Sequence, residues 1–153
     1  MKYIDTSAFV KYYFLEEWEK GAGKIREVIE AVRRDEEILV SSFILLGEAV
    51  SVFDKWLRQK IITQEQFDGL ITQFFADIKE LNDRGGLFLE TINPSIILFS
   101  IDFILKHHIS VNDAIHLYTA LSRNPKISEL ISSDKNLNTA ARNEGLIIFN
   151  PEE

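Results

Sequence analysis

Four acidic residues in this chain stand where a charge needs a reason: Asp5, Glu48, Asp113 and Asp134. Asp5 closes the short apolar stretch Tyr3-Ile4 and is followed by Thr6-Ser7, a typical helix-start cluster. Asp113 and Asp134 also stand at the start of helical patterns. Taken singly, each of these three is explained as an N-cap, which stabilises a helix start by about 1 kcal/mol. Glu48 has no such explanation. It lies inside a long helical pattern at the spacing of Ile44, Leu45 and Val52, on the apolar stripe. Its i±3 and i±4 neighbours are Ile44, Leu45, Ser51 and Val52, so no Lys or Arg neutralises it locally. A charge on a buried stripe needs a partner, either a distant ion pair or a bound cation. Asp54 contrasts with it, having Arg58 at i+4 on a solvated face.

Carboxylates brought together repel one another and stay ionised only if cations hold them. A set of oxygen ligands without Cys or His points to a hard ion, Mg²⁺ or Mn²⁺, which keeps waters and leaves positions for phosphate oxygens. One such ion, or two about 4 Å apart, can generate hydroxide and stabilise the leaving oxygen of an in-line displacement. His116 lies one turn after Asp113, among Ile115, Leu117 and Ala120. That setting favours a packed histidine, or one that orients a ligand residue, over a general base.

The elements that must position these groups alternate in type. Lys2–Ile4 favours a strand, and an apolar helix follows Asp5-Thr6-Ser7 to about Phe14. A helix is predicted over Glu17 to Arg34, then a covered strand at Ile38-Leu39-Val40. Ser41-Ser42 is placed to cap a helix from Phe43 to about Lys60, and Thr63 with Gln66 makes a capping box for one running to about Asp83. Arg84-Gly85-Gly86 breaks the chain before a strand over Leu87–Thr91. Asn93-Pro94-Ser95 opens an apolar helix to about Lys106, and Asn112-Asp113 opens another through Arg123. Leu130–Ser132 reads as a strand, Asp134–Asn143 as a helix closed by Gly145, and Leu146–Phe149 as a last strand. Short apolar strands alternating with helices predict a three-layer α/β/α sandwich with a central parallel sheet, formed by residues 1–153 as one domain. In such sheets ligands gather beyond the carboxyl ends of the strands.

Bulk properties narrow the classes. At 153 residues and 46% hydrophobic content, a single core can form without staples. The absence of Cys excludes disulfides and thiolate zinc sites. The three histidines, 107, 108 and 116, lack H-E-x-x-H spacing. No apolar run approaches the ~18 residues of a membrane span, which gives the expectation of a soluble, cytoplasmic protein without a membrane partner. The net charge of −7 gives no support to a polyanionic substrate, and the basic residues Lys11, Arg84, Lys106, Arg123 and Lys135 are dispersed along the chain. The stripe of Phe67, Leu70, Ile71, Phe74, Phe75 and Ile78 is either core or an interaction surface.

Four segments together resemble the PIN-domain nucleases, and within them the VapC-type toxins of toxin–antitoxin modules. They are YIDTSAFVK at 3–11, LGEA at 46–49, VNDAIHLYTA at 111–120, and SSDKNL at 132–137 with the terminal GLIIF at 145–149. The resemblance runs from Tyr3 to Phe149. It implies a homodimer, inhibited by a cognate antitoxin, whose acidic site cleaves RNA. It makes Asp5 and Asp113 the principal metal ligands, with Glu48 and Asp134 completing the pocket. Ser7 matches a small hydroxyl that supports the first Asp, and Ser132 the Ser or Thr before the fourth acid. Many relatives carry a further Asp where this chain has Asn136, which leaves the site one charge poorer for a second metal.

Other classes fit less well. A haloacid-dehalogenase-like phosphatase needs an Asp where Ser7 stands, and no G-x-G-x-x-G follows the first strand for a dinucleotide. A binding or scaffold module that kept the fold and lost turnover is the alternative from a different class.

Overall fold

The computed structural model describes residues 1–14 and 19–153. The chain opens with β1 (Lys2–Ile4) and α1 (Thr6–Phe9), continued by a 3-10 turn over Val10–Tyr13. Then follow α2 (Ala22–Arg33), β2 (Leu39–Ser42), α3 (Ile44–Arg58), α4 (Gln64–Asp83), β3 (Leu87–Glu90) and α5 (Pro94–His107). The chain closes with α6 (Val111–Ser122), β4 (Leu130–Ile131), α7 (Lys135–Asn143) and β5 (Ile148–Phe149). The predicted start of the second helix at Glu17 lies outside the described residues.

All strand pairs are parallel, in the order β3-β2-β1-β4-β5. Tyr3 pairs with Val40 on one side and Leu130 on the other. Because side chains alternate along a strand, adjacent residues feed opposite layers. Ile4, Leu39 and Ile131 join Phe9, Ile25, Ile29, Leu45, Phe53 and Phe74 on one face, under α1 to α4. Tyr3, Val40 and Leu130 join Ile109, Leu117, Leu137 and Ala141 on the other, under α5 to α7. The result is the predicted α/β/α sandwich.

Local sequence explains most helix ends. The Thr63–Gln66 capping box forms, with Gln66 N–H donating to Thr63 Oγ1 at 3.2 Å and Thr63 N–H to Gln66 Oε1 at 2.9 Å. Asn93 caps α5 through Ile96 N–H at 3.1 Å, with Pro94 in the first turn. Gly145, at φ +86°, ends α7 in the left-handed region, and Leu146 N–H reaches back to Ala141 O at 3.0 Å.

Three boundaries differ from expectation. Ser41 and Ser42 belong to β2 and are buried, because the parallel pairing with β3 runs on through Glu90; Ser41 Oγ donates to Ile4 O at 2.6 Å rather than capping α3. Asp113 is not the cap of α6. That role falls to Ser110, whose Oγ accepts from Asp113 N–H at 3.1 Å. The last strand shortens to Ile148–Phe149. The Phe67–Ile78 stripe resolves as core: Phe74 and Ile78 are buried and Phe67, Leu70 and Ile71 pack against them, leaving Phe75 exposed. The apolar surface lies instead on α5, where Ile97, Leu98, Phe99, Ile101 and Leu105 are exposed and Ser100 alone is buried. Among the described residues no single helix is long and apolar enough to cross a membrane.

Candidate active site

Since β1, β2 and β4 run parallel, their carboxyl ends share one edge of the sheet, and the chain leaves that edge into α1, α3 and α7. Asp5 and Asp134 stand directly there as the N-caps of α1 and α7. Asp5 is buried, yet its side chain is fully occupied. Ala8 N–H donates to Oδ1 at 3.0 Å, Ser132 Oγ donates to Oδ2 at 2.9 Å, and Ser7 Oγ lies 2.9 and 2.8 Å from the two oxygens. The same hydroxyls reach the neighbouring strand end. Ser132 Oγ accepts from Asp134 N–H at 3.0 Å, and Ser7 Oγ from Ser133 N–H at 2.9 Å. Ser7 and Ser132 therefore stitch the end of β1 to the end of β4. Burial pushes the Asp5 carboxyl up, against the opposing charge of His116 and these hydrogen bonds.

Asp134 gives Oδ1 to the cap, accepting from Asn136 and Leu137 N–H at 2.8 Å each; Oδ2 takes no part in it. Asp113, in the first turn of α6, is half-buried and accepts from Ser110 Oγ at 2.7 Å. Burial raises its carboxyl, and the negative charge of Asp134 raises it further. Asn136 is exposed; its backbone serves the Asp134 cap, and its side chain borders a separate polar cleft with Lys106, His107 and His108.

Glu48 has found a distant partner. Its Oε2 meets His116 Nε2 at 2.8 Å and accepts a short hydrogen bond from Thr6 Oγ1. Burial alone would raise this carboxyl, but His116, Thr6 and Asn112 outweigh it and hold the group below the ordinary range. His116 is itself buried, and its Nδ1 lies 2.8 Å from the Tyr3 hydroxyl. A carboxylate only accepts, so Nε2 carries hydrogen; in the neutral ring Nδ1 then accepts from the Tyr3 O–H. The packed histidine expected from its apolar surroundings is thus also the residue that orients Glu48. Sequence reasoning did not single out Thr6, Asn112 or the Tyr3 hydroxyl. Thr6 was legible only as part of a helix-start cluster, and nothing local ties Tyr3 to a residue 113 positions away.

His116 is the common neighbour of the acidic set. When protonated it lowers the carboxyls of Asp5, Glu48 and Asp113, while the negative charge of Asp134 raises Asp113. As the side chains stand, no group of three or more His, Asp or Glu converges tightly enough to hold a metal ion among the described residues. The chemistry of the set nevertheless suits a hard cation. The donors are all oxygen, and Asp5 and Asp113 are raised by burial and, for Asp113, by like charge, which a divalent ion would relieve. An open groove of about 600 Å³ adjoins the site, lined by Phe43, Ile44, Gly47, Glu48, Ser51 and Asn112 among others.

A parallel α/β/α sheet that gathers acidic side chains beyond its strand ends defines a class of small proteins with an acidic site at the sheet edge. Comparison with known proteins places the chain within that class. Residues 2–143 match the PIN domain, and the chain belongs to the PIN domain family. It therefore has a nuclease fold; PIN domains are generally nucleases and typically use divalent metal ions. The crystal structure of PAE2754 from Pyrobaculum aerophilum is similar, with a TM-score of 0.55 over 96% of this chain and 89% of that one, at 14% identity. At that identity the likeness shows the fold alone. No curated protein gives a significant sequence match.

Proposed function

We propose that this PIN domain is a Mg²⁺- or Mn²⁺-dependent endoribonuclease, with Asp5, Glu48, Asp113 and Asp134 as its metal site. The observation that carries this is the set of carboxylates held at one sheet edge: Asp5 and Asp134 cap α1 and α7 there and are joined through Ser132, and Glu48 is held beside them by His116 and by Thr6, the residue after Asp5. A bound divalent ion supplies a nucleophilic water and charge for the leaving oxygen of the phosphodiester. The chain's own residues prepare the site. Ser7 and Ser132 fix Asp5, His116 and Thr6 fix Glu48, and Ser110 fixes Asp113. Asn136 adds an uncharged amide beyond Asp134, which favours one tightly held ion over two.

In the same reading the protein is a cytoplasmic VapC-type toxin, a homodimer silenced by a cognate antitoxin. The exposed face of α5 supports the dimer. With ordinary side-chain areas, its Ile97, Leu98, Phe99, Ile101 and Leu105, together with Ile92 and Val111, leave roughly 600 Å² of apolar surface, near the ~800 Å² per partner of a standard interface.

The decisive experiment incubates purified protein with single-stranded RNA in Mn²⁺ or Mg²⁺, with EDTA as control, beside Asp5→Asn and Asp113→Asn. Cleavage is expected only with metal and falls in each variant by at least the roughly 10- to 100-fold seen when a mere support of a metal ligand is lost. Unchanged cleavage by either variant overturns the mechanism.

A second reading is a scaffold that kept the fold without turnover. The net charge of −7 and the lack, among the described residues, of a tight three-residue ligand group as the side chains stand favour it. Titration calorimetry with Mn²⁺ separates the two, since a scaffold shows no binding at millimolar metal.

A further inference from the structure

The open groove beside the acidic site, about 600 Å³ in volume, has a lining of its own character. One wall is a single face of α3: Ile44, Gly47, Glu48, Ser51 and Val52 recur at three- and four-residue spacing, over about 12 Å of helix. Asn112 joins it from the first turn of α6, and Phe43 completes it at the start of α3. Phe43 is fixed at its backbone. Its N–H donates to Glu90 O at 2.9 Å, continuing the pairing of β2 with β3, and its C=O accepts from Leu46 N–H at 3.2 Å. The residue nevertheless stays 45% exposed, so a rigidly anchored aromatic ring is left in water at the groove.

Gly47 makes the same wall low. Glycine inside a helix weakens it, and a close neighbour is the usual reason to accept that loss. Here no neighbour demands it: among the described residues, a Cβ at Gly47 would meet nothing within 4 Å beyond its own helix. What a side chain there would fill is the groove.

The charges decide what kind of group fits. Among the described residues lining the groove only Glu48 is charged, and Asp113 follows Asn112 in the sequence. Lys55 is the next residue along this face of α3, one turn beyond Ser51, and lies outside the lining. Glu90, beneath Phe43, is paired with Arg123. A groove with a carboxylate in its wall and no cation repels a bare phosphate, whose charge then falls to a divalent ion at the acidic site. The groove itself offers an aromatic face, aliphatic side chains and an amide, in a volume within the ~300–1,000 Å³ of small-molecule sites. Those are the partners of a nucleobase, and stacking on aromatic rings is how single strands are held without a basic surface.

We propose that this groove is the subsite for one unpaired base of the nucleic-acid substrate, stacked on the Phe43 ring next to the phosphate held at the acidic site. This rests on the nuclease reading above. Its consequence is selectivity for single strands. In a duplex the base faces are already stacked and the edges paired, so no base reaches Phe43.

The test is cleavage of a labelled single-stranded RNA in Mn²⁺, read as kcat/KM, with Mn²⁺ affinity followed by titration calorimetry. Phe43→Leu keeps an apolar side chain and removes the ring face; kcat/KM is expected to fall about 5-fold or more, the loss of one base–aromatic stack. Phe43→Trp, which supplies a larger face, is expected to retain wild-type kcat/KM. Gly47→Leu is expected to unfold at higher urea than wild type, since leucine favours helix over glycine, yet to cleave less well because it fills the groove. Mn²⁺ affinity is expected to hold at the wild-type value in all three. The same RNA annealed to its complement is cut slowly, and Phe43→Leu leaves that rate unchanged. An equal fall on the duplex, or a loss in Phe43→Trp as large as in Phe43→Leu, makes Phe43 a support of α3 and overturns the base subsite. If the wild type cleaves RNA while Phe43→Leu and Gly47→Leu both match it, this inference alone falls. If the wild type does not cleave RNA, the nuclease reading falls and takes this inference with it.

Discussion

His116 Nε2 and Glu48 Oε2 meet at 2.8 Å, and the imidazole is fixed from behind by the Tyr3 hydroxyl at 2.8 Å from Nδ1. The pair joins α6 to α3 across the carboxyl end of β1, and the rings of Tyr3 and His116 pack edge to face at 5.8 Å. Its position resembles the carboxylate–histidine supports that orient ligands in metal sites, with the carboxylate here on the ligand side.

Tyr3→Phe therefore tests the support without touching an acidic residue. It leaves Nδ1 of a buried ring without its partner, at a cost of about 1–3 kcal/mol in urea unfolding. Mn²⁺ affinity is expected to fall by about 10-fold, as for other lost supports of ligand residues. If affinity is unchanged while stability falls, Tyr3 serves the core only.

The raised carboxyls make a pH prediction. Asp5 and Asp113 stand above their ordinary value of 3.8 in the folded protein, so their contribution favours folding below that value and is lost as pH rises through the raised folded values. Glu48 runs the other way: its stabilisation is present above its ordinary 4.5 and is lost as pH falls through its depressed value. In EDTA at pH 7, Asp113→Asn is thus expected to unfold at higher urea than wild type, and the gap to close below about pH 4. Saturating Mn²⁺, about 100 times its dissociation constant, reverses the order by stabilising the wild type alone by about 2.7 kcal/mol.

On α5, Leu98 and Leu105 are the most exposed large side chains, at 65% and 70%, with Ile101 between them at helical spacing. An antiparallel pair of α5 helices about a two-fold axis near Ile101 sets Leu98 of each copy against Leu105 of the other, a self-complementary seam. Leu98→Glu with Leu105→Glu is expected to convert a dimer to a monomer in sedimentation equilibrium, with unchanged circular dichroism. A wild type that is already monomeric at tens of micromolar removes the dimer from the proposal.

Gly86 begins the approach to β3, and a Cβ there would lie 2.5 Å from Val32 Cγ1. Val32 is buried in α2 and stiff about its one side-chain torsion, so it cannot swing aside cheaply. Gly86→Ala is expected to cost about 1–3 kcal/mol in urea unfolding, as overpacking does. A neutral result shows that α2 shifts freely on the sheet.

Element order, the parallel sheet and the candidate acidic residues were all legible in the amino-acid sequence. These follow from periodicity, capping chemistry and the presence of Glu48 on an apolar stripe, all of which are local. The sequence also required that Glu48 have a partner, but not which one. The partner emerged from the packing of distant elements. His116 lies 68 positions away and is brought to Glu48 because α3 and α6, which cover opposite faces of the sheet, both reach the carboxyl end of β1. The same holds for Ser132, which lies 127 positions from Asp5 and ties it to Asp134, and for Lys11, whose Nζ reaches Glu152 at the far end of the chain. Ser110 displaced Asp113 as the cap of α6 because the backbone turn after His108, itself at φ +55°, places Ser110 at the helix start. Local pattern specifies which groups must be satisfied; the parallel topology, by stacking distant strand ends on one edge, selects what satisfies them.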